Sequence, residues 1–393
     1  MKDEDLTYVG GRIAHFRKLR KLTQHQLAAQ AHVSRSMLAD VERGKAKAST
    51  VWIGAVATAL AVDASRLYGT NTEPEQLAEI LPQLRRTLAA TDLMSPDTVP
   101  GPVDQLERMV ARVGVWRRET RYRDIAAALP DLVDQLLVIG SDQVPRSRPY
   151  TMLAELYRAA NTVAHKLGYV DLSLTATERM EWAATRAGDP LLLATTHYVK
   201  AATLSRMGAT EHALRLLSRA MADIEPLLED DDQTVAAVYS LLHMRAGTIA
   251  AATGDADTAR SHLEEAGRLA ARFPDGVVYG TPVGPANVSL YQLCAEADLN
   301  EPGRALEIAN RLHLPKGMAA ERKAYGEVDR ARAFLLAQKL DDAMDALERS
   351  YKASPEHFAA SNAVKGTVTT VLAQQRRGTD RATRLAGLAG LDA

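Results

Sequence analysis

Side chains that can contact nucleic acid are concentrated between residues 24 and 47 of this 393-residue chain. An arginine such as Arg35 can donate two hydrogen bonds to one guanine, which separates that base from the other three. A lysine such as Lys47 can bind a backbone phosphate without reading sequence. The candidate DNA-contacting residues of the segment are Gln24, Ser34, Arg35, Ser36, Asp40, Arg43, Lys45 and Lys47.

Helix signals in the same segment predict how these side chains are positioned. Thr23 and Ser34 are good N-cap residues, and each precedes a short run with apolar side chains on one face. Leu38 and Val41 mark the inner face of the second helix, and Gly44 suits the left-handed turn that ends it. Two short helices joined by a tight turn form a helix-turn-helix.

The segment also carries a specific sequence pattern. It reads T-Q-x-x-L-A from Thr23, then V-S-x-S-x-L-x-x-x-E-x-G from Val33 to Gly44. This pattern resembles the phage-repressor-like (XRE) helix-turn-helix family, and the match covers roughly Gly10 to Tyr68. The resemblance implies a five-helix DNA-binding domain, which we expect at residues 8–70.

The resemblance also assigns roles to single positions. Arg35 and Ser36 would open the recognition helix and face base edges, and Gln24 would hold a phosphate at its helix N-terminus. Lys45 and Lys47 would bind phosphates from the loop that follows. Two interpretations remain for Asp40, which could accept a hydrogen bond from cytosine or orient Arg35 or Arg43. Glu42 is more often structural at its position, so no DNA contact is expected of it.

Composition and charge separate a small domain from a larger one. Residues 1–70 contain 11 Lys or Arg against 6 Asp or Glu, whereas the remaining residues contain 37 against 43. A basic domain on a larger acidic body fits a DNA-contacting module joined to a separate sensor. The chain has no uninterrupted run of 18 apolar residues, its first nine residues lack the apolar core of a signal peptide, and Cys294 is its only cysteine. We therefore expect a cytoplasmic protein that does not enter membranes.

Internal repeats predict the architecture of the larger part. A turn motif recurs before Ala213, Ala259, Ala305 and Ala343, and these alanines are 46, 46 and 38 residues apart. A fifth, weaker copy of the turn begins at Gly168. The motif resembles the tetratricopeptide repeat, in which helical hairpins stack into a solenoid with a concave face. The fold is therefore predicted to be all-α, with hairpins over residues 103–375; an irregular helical domain is the alternative.

The remaining segments are predicted to be connective. Residues 71–102 would be a linker helix followed by a Pro-rich hinge or rigid turn, and residues 376–393 a C-terminal tail. The two halves together look like a tetratricopeptide-coupled XRE regulator, and the run from Gly284 to Glu307 is similar to a segment of actinobacterial members. Some families of this architecture sense small peptides, so the resemblance implies a role in ligand sensing or quorum sensing.

Repeat register places several polar side chains on the predicted concave face. An asparagine there can pair with a peptide amide, and an arginine can hold a carboxylate. The alternative is that these side chains are only solvated. The candidate ligand-binding residues are Arg158, Thr162, Tyr198, Asn287, Tyr291 and Arg332.

The sequence offers no pattern for catalysis or metal binding. Its histidines form no H-x-x-x-H or H-E-x-x-H pair, and there is no phosphate loop and no G-x-S-x-G. The acidic run from Glu229 to Asp232 lacks the glycine and the spacing of a calcium loop. We therefore expect neither an enzyme nor a bound metal or cofactor.

The predicted function is that of a ligand-responsive transcriptional regulator. Its partners would be double-stranded DNA carrying an inverted-repeat operator, a second copy of the chain paired through the repeat domain, and a peptide or small-molecule effector. Two alternatives remain: a ligand-free repressor of the phage or antitoxin type, and a protein-binding scaffold with a helix-turn-helix head.

A pair of substitutions separates base reading from phosphate binding. Arg35→Ala should lose about 1–3 kcal/mol on the specific site and little on random DNA, because it would remove a base contact. Lys47→Ala should weaken binding to both DNAs and reduce the slope of log K against log salt concentration by about one. Binding titrations on both DNAs at several salt concentrations measure this, and an equal loss for Arg35→Ala on the two DNAs would refute the base contact.

Overall fold

The computed structural model of the chain describes residues 6, 8–68, 80–89, 97–142, 147–230, 232–374 and 380–391. These residues form an all-α protein with an N-terminal helix-turn-helix domain, the head, followed by a helical-repeat-like domain, the body. The head contains α1 (Val9–Leu19), α2 (Gln24–Gln30), α3 (Arg35–Glu42), α4 (Thr50–Ala59) and α5 (Ala64–Tyr68). The predicted fold class is confirmed.

Side-chain caps fix where the helices of the head begin. Thr23 accepts a hydrogen bond from the Gln26 N–H at 3.1 Å, and the Gln26 side chain accepts one from the Thr23 N–H at 2.8 Å. This reciprocal capping box starts α2. Ser34 caps α3 by accepting from the Met37 N–H at 3.4 Å. The helices enclose a core whose fully buried side chains include Ile13, Leu27, Leu38, Trp52 and Val56.

The body is a succession of helical hairpins. Its first part contains α6 (Ile80–Ala89), α7 (Val103–Arg118), α8 (Tyr122–Asp142), α9 (Ser147–Lys166), α10 (Val170–Ala187), α11 (Pro190–Arg206), α12 (Thr210–Ile224), a 3-10 helix (Glu225–Asp230), α13 (Gln233–Ala252) and α14 (Ala256–Ala270). Its second part contains β1 (Gly276–Val278), β2 (Thr281–Val283), α15 (Pro285–Asp298), α16 (Pro302–Arg311), α17 (Ala320–Leu336), α18 (Leu340–Ala353), α19 (Pro355–Ala360), α20 (Asn362–Gln374) and α21 (Asp380–Leu388).

Five of the hairpin turns share one backbone conformation. Gly168, Gly208, Gly254, Asn300 and Gln338 lie just after the first helix of a pair, with φ between 58° and 84°. A left-handed residue there ends the helix, and glycine or asparagine adopts this conformation at least cost. The recurrent turn motif of the sequence falls at these same five positions, because the conformation is decided by neighbouring residues.

Two apolar cores run through the stack. The larger is built from α6 to α15, and the smaller from α15 to α21. Small residues let paired helices approach closely: a methyl group on Gly247 of α13 would lie 2.7 Å from Leu263 of α14. Among the described residues only α13 has the length and composition of a membrane span, and 83% of its apolar window is buried inside the protein.

Two helices that the sequence assigned to connecting segments belong to the body. Leu81, Leu84 and Leu88 of α6 are buried in the larger core, and Leu385 of α21 is buried in the smaller one. The predictions of a linker over 71–102 and of a tail over 376–393 are therefore wrong for these helices. Each helix has an apolar stripe, and the body supplies the surface that covers it.

The predicted hinge is only partly within the described residues. Its first two residues, 95 and 96, lie outside them, as do residues 71–79 and 90–94 of the predicted linker. From residue 97 to 102 the chain is irregular, and the Gly101 N–H donates to the Gln135 side chain at 2.8 Å. This hydrogen bond attaches the end of the Pro-rich segment to α8.

Part of the segment that joins α14 to α15 is a β-hairpin. Gly276 pairs with Val283 and Val278 with Thr281 in antiparallel register. Tyr279 and Gly280 form its two-residue tip, both with positive φ, as a primed hairpin turn requires. The Tyr279 hydroxyl donates to Asp189 at 2.7 Å, which anchors the tip to the start of α11.

The head packs directly against the body through α4. A methyl group on Gly54 would lie 2.6 Å from the Arg206 carbonyl oxygen at the end of α11. One on Gly208 would lie 2.7 Å from the Gly54 carbonyl oxygen, and the Thr58 hydroxyl is 3.4 Å from the Met207 carbonyl oxygen. The backbones of α4 and of this turn are therefore in contact, which only glycine permits at both positions.

Gly54→Ala should weaken the docking of the head on the body. The added methyl group must displace backbone atoms, and overpacking of this kind costs about 1–3 kcal/mol. Fluorescence energy transfer between dyes on His25→Cys and Arg215→Cys, both exposed positions, reports the separation of the two parts when Cys294 is replaced by serine. The matched control is Gly114→Ala, where the nearest atom is a side-chain atom of Arg118 at 3.7 Å. Equal transfer in the two variants would contradict the contact.

Candidate functional site

The recognition helix α3 presents its first turn to the surface. Met37, Leu38 and Val41 are buried against the rest of the head, whereas Arg35 and Ser36 are exposed. Ser34 caps the helix, and its hydroxyl lies 2.7 Å from that of Ser36. This arrangement leaves Arg35 on the surface that a major groove would meet.

Glu42 at the end of α3 is a structural residue. Its two carboxylate oxygens accept hydrogen bonds from Arg17 at 2.7 and 2.8 Å. The side-chain amide of Gln24 donates to the same carboxylate at 2.7 Å. The bidentate pair ties α1, α2 and α3 together. The amide of Gln24 is thus engaged within the head, and only its position at the N-terminus of α2 fits the predicted phosphate contact.

Asp40 lies one turn further along α3 and contacts Arg43. The Arg43 guanidinium donates to the Asp40 carboxylate at 2.7 Å, and the two side chains are 58% and 26% exposed. An exposed pair of this kind contributes little to stability. The geometry fits the interpretation in which Asp40 orients Arg43.

Turns of the body approach the start of α3. The side-chain amide of Asn300, in the turn between α15 and α16, lies 3.2 Å from the Ser36 hydroxyl and 3.5 Å from the Asp40 carboxylate. A methyl group on Gly254, in the turn between α13 and α14, would lie 3.8 Å from the Ser34 nitrogen. Asn300 therefore occupies space that a base edge or phosphate beside Ser36 would need.

Lys47 turns toward the body instead of toward solvent. Its ammonium group donates to the Ala363 carbonyl oxygen at 2.7 Å, and the Arg332 guanidinium donates to the Lys47 carbonyl oxygen at 3.2 Å. Burial and the nearby charge of Arg332 lower the pKa of Lys47 to about 7. The predicted phosphate contact of Lys47 is not available in this arrangement, because α20 covers the amine. Lys45 stays exposed, although its carbonyl oxygen accepts from Gln374 at 2.7 Å.

A cavity of about 390 Å³ lies between the head and the helices of the body, and we call it the interdomain cavity. The body contributes most of its wall, from α7, α9, α11, α13, α15 and α17 and from the β-hairpin. The head closes one side with Lys47, Ser49, Thr50, Val51 and Ala64. The head thus forms one side of a cavity whose other sides belong to the body.

The structure brings five of the six candidate ligand-binding residues to this cavity: Arg158, Thr162, Tyr198, Tyr291 and Arg332. Asn287 lies behind the wall and is 2% exposed. Its amide donates to the Pro282 carbonyl oxygen at 2.7 Å and its oxygen accepts from Arg322 at 2.7 Å. Asn287 therefore positions Arg322 and is not itself available to a ligand, contrary to the prediction.

The two arginines among these five residues are engaged by other parts of the chain. Arg158 donates to the Tyr279 carbonyl oxygen and to the Thr281 hydroxyl, so it holds the tip of the β-hairpin. Arg332 is paired with Asp298 and, at 3.0 Å, with Asp329. Both arginines line the cavity, as predicted for the inner surface, but residues distant in sequence already engage part of each guanidinium.

Three cationic residues of the cavity that the sequence analysis did not name lie over aromatic rings. Arg245 lies over the ring of Tyr198 at 4.4 Å, and Arg322 over that of Tyr291 at 5.1 Å. Lys166 lies over the ring of Tyr325 at 3.9 Å. Lys166 and Arg245 directly follow His165 and Met244, and Arg322 lies one turn before Tyr325. The repeat register also predicts that His165, Met244 and Tyr325 face inward. A search of those neighbours for basic residues would have found them.

The cavity is strongly positive. Nine Lys or Arg line it, against three Asp or Glu. Burial, with the charges of Arg206, Lys166 and Arg245, holds the pKa of His165 well below its usual range. Burial and the charge of Arg117 lower the pKa of Arg158 to about 10. In the described part of the chain, no group of three His, Cys, Asp or Glu could hold a metal ion.

Fold and site together define a class of protein: a helix-turn-helix transcriptional regulator that binds DNA and carries a helical-repeat-like domain. Residues 9–67 match the model of a helix-turn-helix domain family. The immunity repressor protein of Bacillus phage phi105 is 34% identical over 125 residues, which cover 29% of this chain and 87% of the repressor. The chain belongs to the family of this repressor.

Two solved structures are similar at low identity. BtubC (BKLC) from P. vanneervenii is 16% identical, with a TM-score of 0.38, and the match covers 63% of this chain and 90% of that one. PlcR of Bacillus thuringiensis, in complex with the peptide PapR7 and DNA, is 13% identical, with a TM-score of 0.29 and coverage of 66% and 93%. Both TM-scores are too low to inform the function of this chain.

Docking of the head should strengthen as pH rises from 7 to 9. An exposed lysine has a pKa of about 10.4 and stays charged over this range, whereas docked Lys47, with a pKa of about 7, is neutral above it. Between about pH 7 and 10, docking therefore releases a proton from Lys47. The stability of the docked state falls as the pH is lowered through this range, and below about pH 7 it no longer depends on this group. From pH 7 to 9 the docking equilibrium should change more than tenfold.

The energy-transfer pair on residues 25 and 215 measures this equilibrium. Lys47→Met is the matched control, because it keeps an extended side chain but cannot titrate. The variant should show a flatter pH profile than wild type. Parallel profiles would show that another group, such as Lys365, whose pKa burial also lowers, is responsible.

Proposed function

We propose that this chain is a ligand-responsive transcriptional regulator in which the head reads operator DNA and the body senses an effector. The observation that supports this is the interdomain cavity, whose wall is shared by head and body. A molecule in such a cavity contacts both parts at once. Its occupancy must therefore depend on whether the head is docked.

Docking and DNA reading compete for the same surface. In the docked arrangement Asn300 lies against Ser36 and Asp40, and α20 covers Lys47. The recognition helix must leave these contacts before it can enter a major groove. A ligand that binds the docked state tenfold better than the released state would change DNA affinity by up to tenfold, which corresponds to about 1.4 kcal/mol of coupling.

Other parts of the proposal rest on the sequence. The body would be a tetratricopeptide-like array of the actinobacterial type, acting in the cytoplasm as a homodimer on an inverted repeat. One head contacts too few base pairs for tight binding, and two heads on half-sites about one helical turn apart would supply the rest. The effector would be a peptide or a small molecule, as in quorum sensing, and the chain would catalyse no reaction. A ligand-free repressor remains the second candidate, supported by the family of the chain.

A chemical crosslink between head and body tests the competition. Ser36→Cys and Asn300→Cys, with Cys294 replaced by serine, bring two thiols close enough for a short bis-maleimide. DNA selected by the uncrosslinked protein from a random library provides the operator. The crosslinked protein should bind this DNA at least tenfold more weakly, because the recognition helix cannot leave Asn300.

Each single-cysteine variant, treated with the same reagent, is the matched control. Asn300→Cys alone should keep its affinity for the selected DNA. The proposal fails if the crosslinked protein binds the operator as tightly as the controls do. The selected DNA also reports symmetry: an inverted repeat supports the homodimer, and a single half-site contradicts it.

A further inference from the structure

The acidic residues of the interdomain cavity are already paired. Asp298 and Asp329 both contact Arg332, and Glu321 pairs with Lys166 at 2.9 Å. These pairs use all three carboxylates of the cavity wall. Arg245 and Arg322 of the wall therefore receive no counter-charge from these three carboxylates.

Arg245 and Arg322 are two arginines of the wall that remain without a carboxylate partner among the described residues. Arg245 donates to the Tyr291 hydroxyl at 3.2 Å, and Arg322 donates to the Asn287 oxygen at 2.7 Å. Neither forms an ion pair with a described residue. The Nε atom of Arg245 is buried and has no hydrogen-bond partner among the described residues. Burying a charge without a counter-ion is costly, and each guanidinium still has several N–H groups to donate.

We propose that the interdomain cavity binds a small multivalent anion, a molecule with two or more carboxylate or phosphate groups. Arg245 and Arg322 would hold the anionic groups, and the rings of Tyr198 and Tyr291, on which they stack, would keep them in place. Arginine suits this role because its planar guanidinium binds carboxylate and phosphate with two parallel hydrogen bonds. The volume of about 390 Å³ accommodates such a molecule.

The position of the head determines the direction of regulation, a step that rests on the proposed function. Docking places residues 47, 49–51 and 64 of the head on the cavity wall, so an anion in the cavity contacts both parts of the chain only in the docked state. An anion therefore binds the docked state better and holds the head where Asn300 covers Ser36. Anion and operator should exclude each other, each weakening the other by the same factor.

Calorimetry with inorganic pyrophosphate and with citrate tests the site on the full chain. Both should bind saturably with Kd below about 1 mM at constant ionic strength, whereas acetate should not. Arg245→Gln and Arg322→Gln should each weaken binding at least tenfold, and Arg245→Lys should lose less than Arg245→Gln. The matched control is Arg215→Gln, which removes an equal charge from an exposed position on α12. Thermal unfolding verifies that each variant is folded. Because Arg322 is only partly buried, Arg322→Gln tests the site even if Arg245→Gln does not fold.

Binding to the selected operator tests the regulation separately. Pyrophosphate should weaken operator binding by wild type at least fivefold beyond sodium chloride of equal ionic strength, and this excess should vanish in Arg245→Gln. The proposed anion site is refuted if pyrophosphate and citrate bind no better than acetate, or if they bind Arg245→Gln, Arg322→Gln and wild type equally. Either result leaves specific DNA binding, and so the proposed function, unaffected. An excess that persists in Arg245→Gln would place the effect at the head and overturn the regulation. A chain that binds anions but no specific DNA would refute the proposed function and leave the site intact.

Discussion

The backbone contact between α4 and the turn after α11 is the constraint on which the functional geometry depends. Gly54 and Gly208 let the two backbones meet, and no larger residue fits at either position without displacement. Because α4 is rigidly packed in the head, this contact also fixes α3 and the loop through Lys47. Asn300 then meets Ser36, and Lys47 meets α20. The interdomain cavity exists only because the head is held at this distance from the helices of the body.

Local features of the structure were predictable from the sequence, and long-range contacts were not. The capping box at Thr23, the cap at Ser34 and the turns at Gly168, Gly208 and Gly254 depend on residues within a few positions, so local patterns are enough to place them. The hydrogen bond from Lys47 to Ala363 joins residues 316 positions apart, and nothing in either neighbourhood indicates it. The repeat register placed Tyr198 and Tyr291 on one face, but not the β-hairpin whose tip engages Arg158.

Asn287 shows how a residue can be chosen for the right chemistry and still be placed wrongly. An asparagine on a concave face can bind a peptide backbone, which is why the sequence favoured it. Here its amide and its oxygen are both used, one by Pro282 and one by Arg322. Its contribution to a site is therefore indirect, because it fixes the guanidinium beside it. Arg322, which the sequence analysis passed over, has the more exposed side chain and the unmatched charge.

The charges at the junction favour a head that can be released from the body, as the proposed function requires. A head docked through a lysine and an acidic partner would be held by an ion pair, and its release would require breaking that pair in a partly buried site. Lys47 instead meets Arg332, whose own charge is offset by Asp298 and Asp329, and burial pushes its pKa down to about 7. The electrostatic part of docking therefore opposes the apolar packing of α4 on α11. This opposition lowers the free energy that release of the head would require, so an anion that contributes about 1–2 kcal/mol can shift the docking equilibrium by roughly tenfold.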